Sequence, residues 1–259
     1  MKNIPLSSLI FICILLFFSL PYFFSLKDKE FKDGLVFELN PEMETSNNFL
    51  FDLSRYNYAL VFGKSPFGLP SYEFKFDGLD DSIIISDANF LSPSHSGEMT
   101  ISFWAKFSRN NFSPSGGKNY IQFLGKRYSG NNEFSFRQYN SSNAEGKGNR
   151  ISFYIFNLSG GLGSGSFVQE PLDLEKWIFL AGVFNGTHVS VYKNGILKDT
   201  DSLADYGIFP QNGNSPVVIG SLDGVNYFKG GIRSVRIYNR SLTQAEIAYL
   251  FSQKNKVVF

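Results

Sequence analysis

The chain has 259 residues, 43% hydrophobic and 17% aromatic, with 29 Phe and 13 Tyr against 18% charged residues. That richness in aromatic side chains favours strands, and a formal net charge of +1 supplies no field to gather nucleic acid, which excludes that partner class. The single cysteine, Cys13, sits in an apolar N-terminal run, so the rest of the chain carries neither a disulfide nor a cysteine-based metal site.

Residues 4–26 are uncharged, with Lys2 before them and the run KDKE behind. The run is long for the apolar core of a signal peptide and lacks an A-x-A cleavage pattern. It is long enough to span a bilayer as a helix. The expectation is an N-terminal hydrophobic helix over residues 1–29, either signal peptide or membrane anchor, with the uncleaved anchor favoured. Either form places residues 30–259, a normal size for one all-β domain, at the cell surface or secreted. Five Asn-x-Ser/Thr acceptors, at Asn111, Asn140, Asn157, Asn185 and Asn239, agree with an exported, glycosylated surface.

The body reads as short strands separated by Gly, Asn, Ser and Pro. GLVFEL (34–39), YALVFG (58–63), YEFKF (72–76) and SIIIS (82–86) come first, followed by a loop around His95. MTISFWAKF (99–107) alternates, with Ile101 and Phe103 on one face and Ser102 and Trp104 on the other. YIQFLG, EFSFRQY and RISFYIF continue the pattern, with a polar hairpin loop over 140–150. The Gly-rich stretches at 115–120 and 157–166 lack the Gly-Lys-Ser/Thr and the helix of a phosphate cradle, so they read as flexible loops. Residues 176–199 form a three-strand meander turned by Asn185-Gly186 and Asn194-Gly195, pairs suited to tight hairpins. SPVVIGS (215–221) adds a strand, and GGIRSVRIYNR (230–240) closes the sheet. A helix then begins at Thr243, with Glu246 completing a capping box and Leu242 and Ile247 placed as a hydrophobic staple. Many strands with one terminal helix and no βαβ rhythm predict an all-β, two-sheet antiparallel jelly-roll sandwich.

In this order the segments GLVFELN, DLSRYNYALVFG, YEFKFDGLDDSIII, MTISFWAKF, KWIFLAGVFNGTHVSVYKNGIL and GGIRSVRIYNRSLTQAEI resemble laminin G-like, concanavalin A-like jelly-roll domains of the bacterial and archaeal type. The resemblance makes Arg236, Tyr238 and Arg240 parts of a closing strand. It implies a structural Ca²⁺ in many members, with Asp77 as candidate ligand here and Asp80 and Asp81 beside it. Ca²⁺ takes six to eight oxygens, and Arg233 replaces a family acid, so the expectation is no cofactor and no bound metal; Asp77-Gly78 then serves as a turn. Ile178 and Phe179 replace a family His-His pair, and no role transfers there.

The superfamily includes glycosidases, which need paired carboxylates. The Glu-x-Asp-x-x-Glu pattern of glucanases is missing, Glu133 stands alone at a strand start where a solvated role is expected, and His95 and His188 have no evident partner. The expectation is therefore a non-enzyme: an extracellular, non-catalytic binding or adhesion module for glycan or surface protein, touching the membrane through its N-terminus. The alternatives are a carbohydrate-active hydrolase and a structural surface component. Arg127, Tyr128, Arg137 and Tyr139 are the candidate ligand-binding residues, weighed against simple packing of the sheet faces.

Overall fold

The computed structural model describes residues 32–41, 49–51, 54, 59–62, 73–112, 119–128, 130–222 and 224–253. The N-terminal segment 1–29, most of 52–63 and residues 115–118 of the first Gly-rich stretch lie outside the described residues. The strands are β1 (Leu35–Leu39), β2 (Phe49–Phe51), β3 (Ala59–Phe62), β4 (Phe74–Asp77), β5 (Ile83–Ile85), β6 (Met99–Phe107), β7 (Tyr120–Tyr128) and β8 (Asn131–Tyr139). They continue with β9 (Ile151–Phe156), β10 (Gly163–Val168), β11 (Trp177–Phe184), β12 (His188–Lys193), β13 (Ile196–Ser202), β14 (Val217–Ile219) and β15 (Lys229–Tyr238). A helical turn, α1 (Pro93–Ser96), occupies the His95 loop, and α2 (Gln244–Ser252) follows β15.

Two antiparallel sheets result. The seven-stranded sheet runs β1-β15-β6-β11-β12-β13, with β4 continuing β1 along the same edge of β15. The eight-stranded sheet runs β10-β9-β8-β7-β14-β5-β3-β2. Their facing sides are lined by the period-two apolar positions of each strand: Ile101, Phe103 and Phe107 from β6, Leu180 from β11, Phe134 and Phe136 from β8, Phe153 and Ile155 from β9. Phe103 meets Phe136 edge-on across the gap, with ring centroids 4.8 Å apart. Gly182 of β11 lets Phe153 press against the opposing backbone, since a Cβ there would lie 2.5 Å from its ring. This is a jelly-roll sandwich.

The meander forms as its turns dictate. Asn194 and Gly195 both take positive φ, 53° and 78°, and close β12 onto β13 as a two-residue hairpin. In the earlier turn only Gly186 does so, while the Asn185 side-chain oxygen accepts the N–H groups of Thr187 and His188. The closing helix is capped as its sequence predicts: the Thr243 hydroxyl accepts the Glu246 N–H and the Glu246 carboxylate accepts the Thr243 N–H. Leu242 and Ile247 are both buried with Trp104, Phe179 and Tyr238 in a second apolar cluster, on the outer side of the seven-stranded sheet under α2. Arg236 pairs with Glu38 at 2.7 Å, Arg240 with Glu246 at 2.5 Å, and burial pushes the Tyr238 hydroxyl up to about 12.

The stretch 157–166 departs from the loop expected of it. Its second half is the start of β10, paired residue by residue with β9. Alternation explains the composition. Ser164 and Ser166 point inward and donate to the carbonyls of Ser202 and Val189 in the other sheet, while Gly163 and Gly165 face outward beneath aromatic rings. Glycine and serine here serve packing and bridging.

Candidate functional site

The outer side of the eight-stranded sheet, over β7 to β10, carries an unusual concentration of rings and cations. Tyr154 and Phe156 of β9 lie stacked, 5.4 Å apart and 11° from parallel. They lie flat because their cross-strand neighbours on β10 are glycines: a Cβ on Gly165 would sit 2.4 Å from the Tyr154 ring, and one on Gly163 2.4 Å from the Phe156 ring. Tyr139 and Phe167 complete the row, with Phe167 edge-on to Tyr154 at 5.7 Å. Tyr120, Tyr154 and Phe167 stay partly exposed, whereas Tyr139 and Phe156 are buried.

Arg137 of β8 is inserted among these rings. Its guanidinium carbon lies 4.3 Å from the centroid of Tyr120, 4.4 Å from Tyr154 and 4.8 Å from Phe156. It is 8% exposed, its Nε is buried without a hydrogen-bond partner, and no carboxylate among the described residues pairs with it. On the same face of the sheet, Gln122 Oε1, Ser135 Oγ and Ser152 Oγ are also buried without partners. Arg127 lies 5.0 Å from the Phe156 ring and donates to Asn132 Oδ1 and to the Tyr120 hydroxyl at 2.8 Å. Lys147, from the 140–150 loop, lies over Phe167 and Tyr139 and pairs with Glu145 at 2.9 Å. Burial first, and then the Tyr139 hydroxyl 3.4 Å away, raise the Tyr154 hydroxyl above its ordinary value, so it stays protonated and able to donate.

The structure thus gathers Arg127, Arg137 and Tyr139 into one cluster. Tyr128 does not join them: its side chain is exposed at the end of β7, where its N–H donates to Ser215 Oγ. Tyr120, Tyr154, Phe156, Gln122, Ser135 and Ser152 complete the face without having been singled out in the sequence. A period-two reading of RISFYIF and EFSFRQY would have placed Ser152, Tyr154 and Phe156 beside Ser135, Arg137 and Tyr139.

Other candidates resolve differently. Glu133 is not solvated. It is 1% exposed and bonded to Lys126, which also meets Asp87 at 2.6 Å, and its carboxylate accepts the Gly213 N–H at 3.1 Å. Burial raises its carboxyl, although Lys126, Ser92 and Gly213 oppose the rise. Asp77, Asp80 and Asp81 each bring an oxygen within 4.8 Å of the others. Two of those carboxylates already accept backbone N–H groups, from Leu79 and Asp77, and the Arg109 guanidinium donates to the Gly78 carbonyl. Those two backbone N–H bonds engage two of the six carboxylate oxygens of the cluster, where Ca²⁺ takes six to eight oxygens. Arg233 stacks on Trp177 at 4.4 Å and Trp104 at 5.6 Å, so the guanidinium at the aspartate turn is Arg109. His95 and His188 are exposed, and His188 Nδ1 meets only the Thr187 hydroxyl. Among the acceptor asparagines, Asn140 is buried and donates to the Phe112 carbonyl, while Asn111 and Asn185 are exposed. No helix among the described residues is long and apolar enough to cross a membrane.

Two antiparallel sheets packed face to face in this strand order define a concanavalin A-like sandwich. The chain belongs to the concanavalin A-like lectin/glucanases superfamily, whose laminin G model matches residues 76–248, more than half of its length. No curated protein matches the chain. Among solved structures it is similar to the receptor-binding domain of botulinum neurotoxin C/D mosaic serotype, with TM-score 0.66 and 19% identity over 86% of this chain and 52% of that one. The binding domain of Paraclostridial Mosquitocidal Protein 1 gives TM-score 0.64 and 20% identity, over 85% and 52% of the two chains. The botulinum neurotoxin serotype D ligand-binding domain, solved in complex with N-acetylneuraminic acid, gives 0.63 and 18%, over 86% and 52%. The chain therefore spans about half the length of these neighbours, and the likeness is one of fold.

Proposed function

We propose that this is a non-catalytic, surface-exposed or secreted binding module that recognises glycans on the outer face of its eight-stranded sheet. The observation that carries the reading is the ring cluster over Gly163 and Gly165, in which Tyr120, Tyr154 and Phe167 stay partly exposed beside Arg137. Sugars present apolar C–H faces and a rim of hydroxyls, so partly exposed rings beside a guanidinium and tyrosine hydroxyls match them. A structural neighbour, matched over 52% of its length, was solved in complex with N-acetylneuraminic acid, which agrees with a glycan reading. The superfamily also includes glucanases, but Glu133 and Asp87 are bridged by Lys126 with Glu133 sealed from solvent. Export rests on the apolar run at 4–26.

The test is a glycan array with the full-length chain, with and without EDTA. Selective binding unaffected by EDTA is the expected result; no binding at all would defeat the glycan reading, and binding abolished by EDTA would restore a metal site. Protein recognition is a second reading, favoured by one feature. Asn157 ties the β9–β10 turn to the 207–209 loop by bonds to Gly207 and Phe209, and Leu162 in that turn and the 74%-exposed Phe209 in that loop both face solvent.

A further inference from the structure

We propose that this face selects acidic sugars and that Arg137 is the residue that takes the sugar carboxylate. The inference rests on the glycan reading and narrows it. A charge buried in a protein is ordinarily matched by a counter-charge. Arg137 is more than nine-tenths buried, yet no carboxylate among the described residues pairs with it and its Nε has no partner. Ring faces compensate part of that cost, with Tyr120, Tyr154 and Phe156 all within 5 Å of the guanidinium carbon, but a ring carries no counter-charge. A planar carboxylate fits a guanidinium edge through two parallel hydrogen bonds.

The surroundings favour an anion as well. Arg127 and Lys147 add two cations to the same ring cluster, and the acid near it, Glu145, is already paired with Lys147. The field over the face is positive although the chain as a whole carries only +1.

The experiment is a titration of the full-length chain with two matched pairs: oligogalacturonate against its carboxyl-reduced form, and 3′-sialyllactose against lactose. The expected result is that the acidic member of at least one pair binds about tenfold or more tighter, the size of one charge-assisted interaction. Which pair responds separates uronic from sialic acids. Arg137→Lys, which keeps the charge and loses the fork, should erase most of that preference. Equal binding of acidic and neutral members by the unaltered chain overturns this inference and leaves the glycan reading standing. No binding of any of the four overturns this inference, and the glycan array then decides the broader reading. A preference that persists in a folded Arg137→Lys variant places the anion elsewhere and also overturns it; the wild-type comparison decides the matter even if the variant does not fold.

Discussion

Two glycines decide where the rings of the candidate face lie. Gly165 takes a φ open to any residue, so its role is space: the Tyr154 ring occupies the volume a side chain would need. Gly165→Val should push Tyr154 off the sheet, destabilise the domain by about 1–3 kcal/mol as overpacking does, and abolish binding at this face. A crystal structure of the variant with Tyr154 unmoved, or sugar affinity unchanged, would refute this role. Arg127, Arg137 and Tyr139 come together because β7 pairs with β8 and sets them on one face, whereas Tyr128, grouped with them in the sequence, follows Arg127 in the strand and stays outside the cluster. The setting of Glu133 was not legible in the sequence, because it is made by residues no local pattern connects to it: Lys126 from the neighbouring strand and Gly213, 80 positions away. Alternation tells which side a residue is on; whether that side is covered depends on loops from elsewhere in the chain.

Elements defined by their own turns and caps were the readable ones. The β11–β13 meander and α2 follow from Asn-Gly pairs and a capping box, which act within four residues. Strand β10 was unreadable because its serines find their partners in the opposite sheet, so GSGS shows no apolar period. The cap on α2 also gives the helix a pH dependence. Burial alone would raise the Glu246 carboxyl, but Arg240 and the N–H and hydroxyl of Thr243 outweigh it and hold it below the usual 4.5. A carboxyl lowered in the folded state contributes stability above its unfolded value, and that contribution fades as pH falls through the lowered one. Glu133 and Asp81, both raised chiefly by burial, carry the opposite sign and favour the folded state on acidification. A global melt would mix these effects, so a local probe is needed. Trp104 stacks on Phe251 of α2 at 5.7 Å, and the other tryptophan, Trp177, packs against the same cluster. Tryptophan emission should shift as α2 loosens below pH 4.5, and Glu246→Gln should flatten that titration while costing about 1 kcal/mol, as cap losses do. An identical titration in the variant would rule out Glu246 as the titrating group.

The whole sandwich depends on a pairing between its two ends. The superfamily match runs over 76–248, yet β1 lies before it and pairs with β15, and Arg236 reaches Glu38 across 198 positions. Leu35, Val36, Phe37 and Leu39 are all buried, Phe37 and Leu39 completely. Fully burying such side chains contributes roughly 1.5–3 kcal/mol each, so together they rival the net stability of about 5–15 kcal/mol that a domain retains. Removing β1 would also open half of one edge of β15 and leave its backbone groups unpaired, a template for aggregation. Residues 249–251 lie beyond the match as well, and Leu250 and Phe251 cover Trp104 and Phe179. A chain cut to residues 76–248 should therefore lack a cooperative thermal transition and aggregate, whereas residues 32–259 should melt as one unit. If the shorter chain melts cooperatively near the same temperature, the long-range β1–β15 pairing is dispensable and the folding unit is smaller than the sandwich. If it fails and the longer one folds, the unit that presents the Arg137 face needs strands from both ends of the chain, closed through contacts about two hundred residues apart, and so belongs with slow-folding, high-contact-order β-sandwiches.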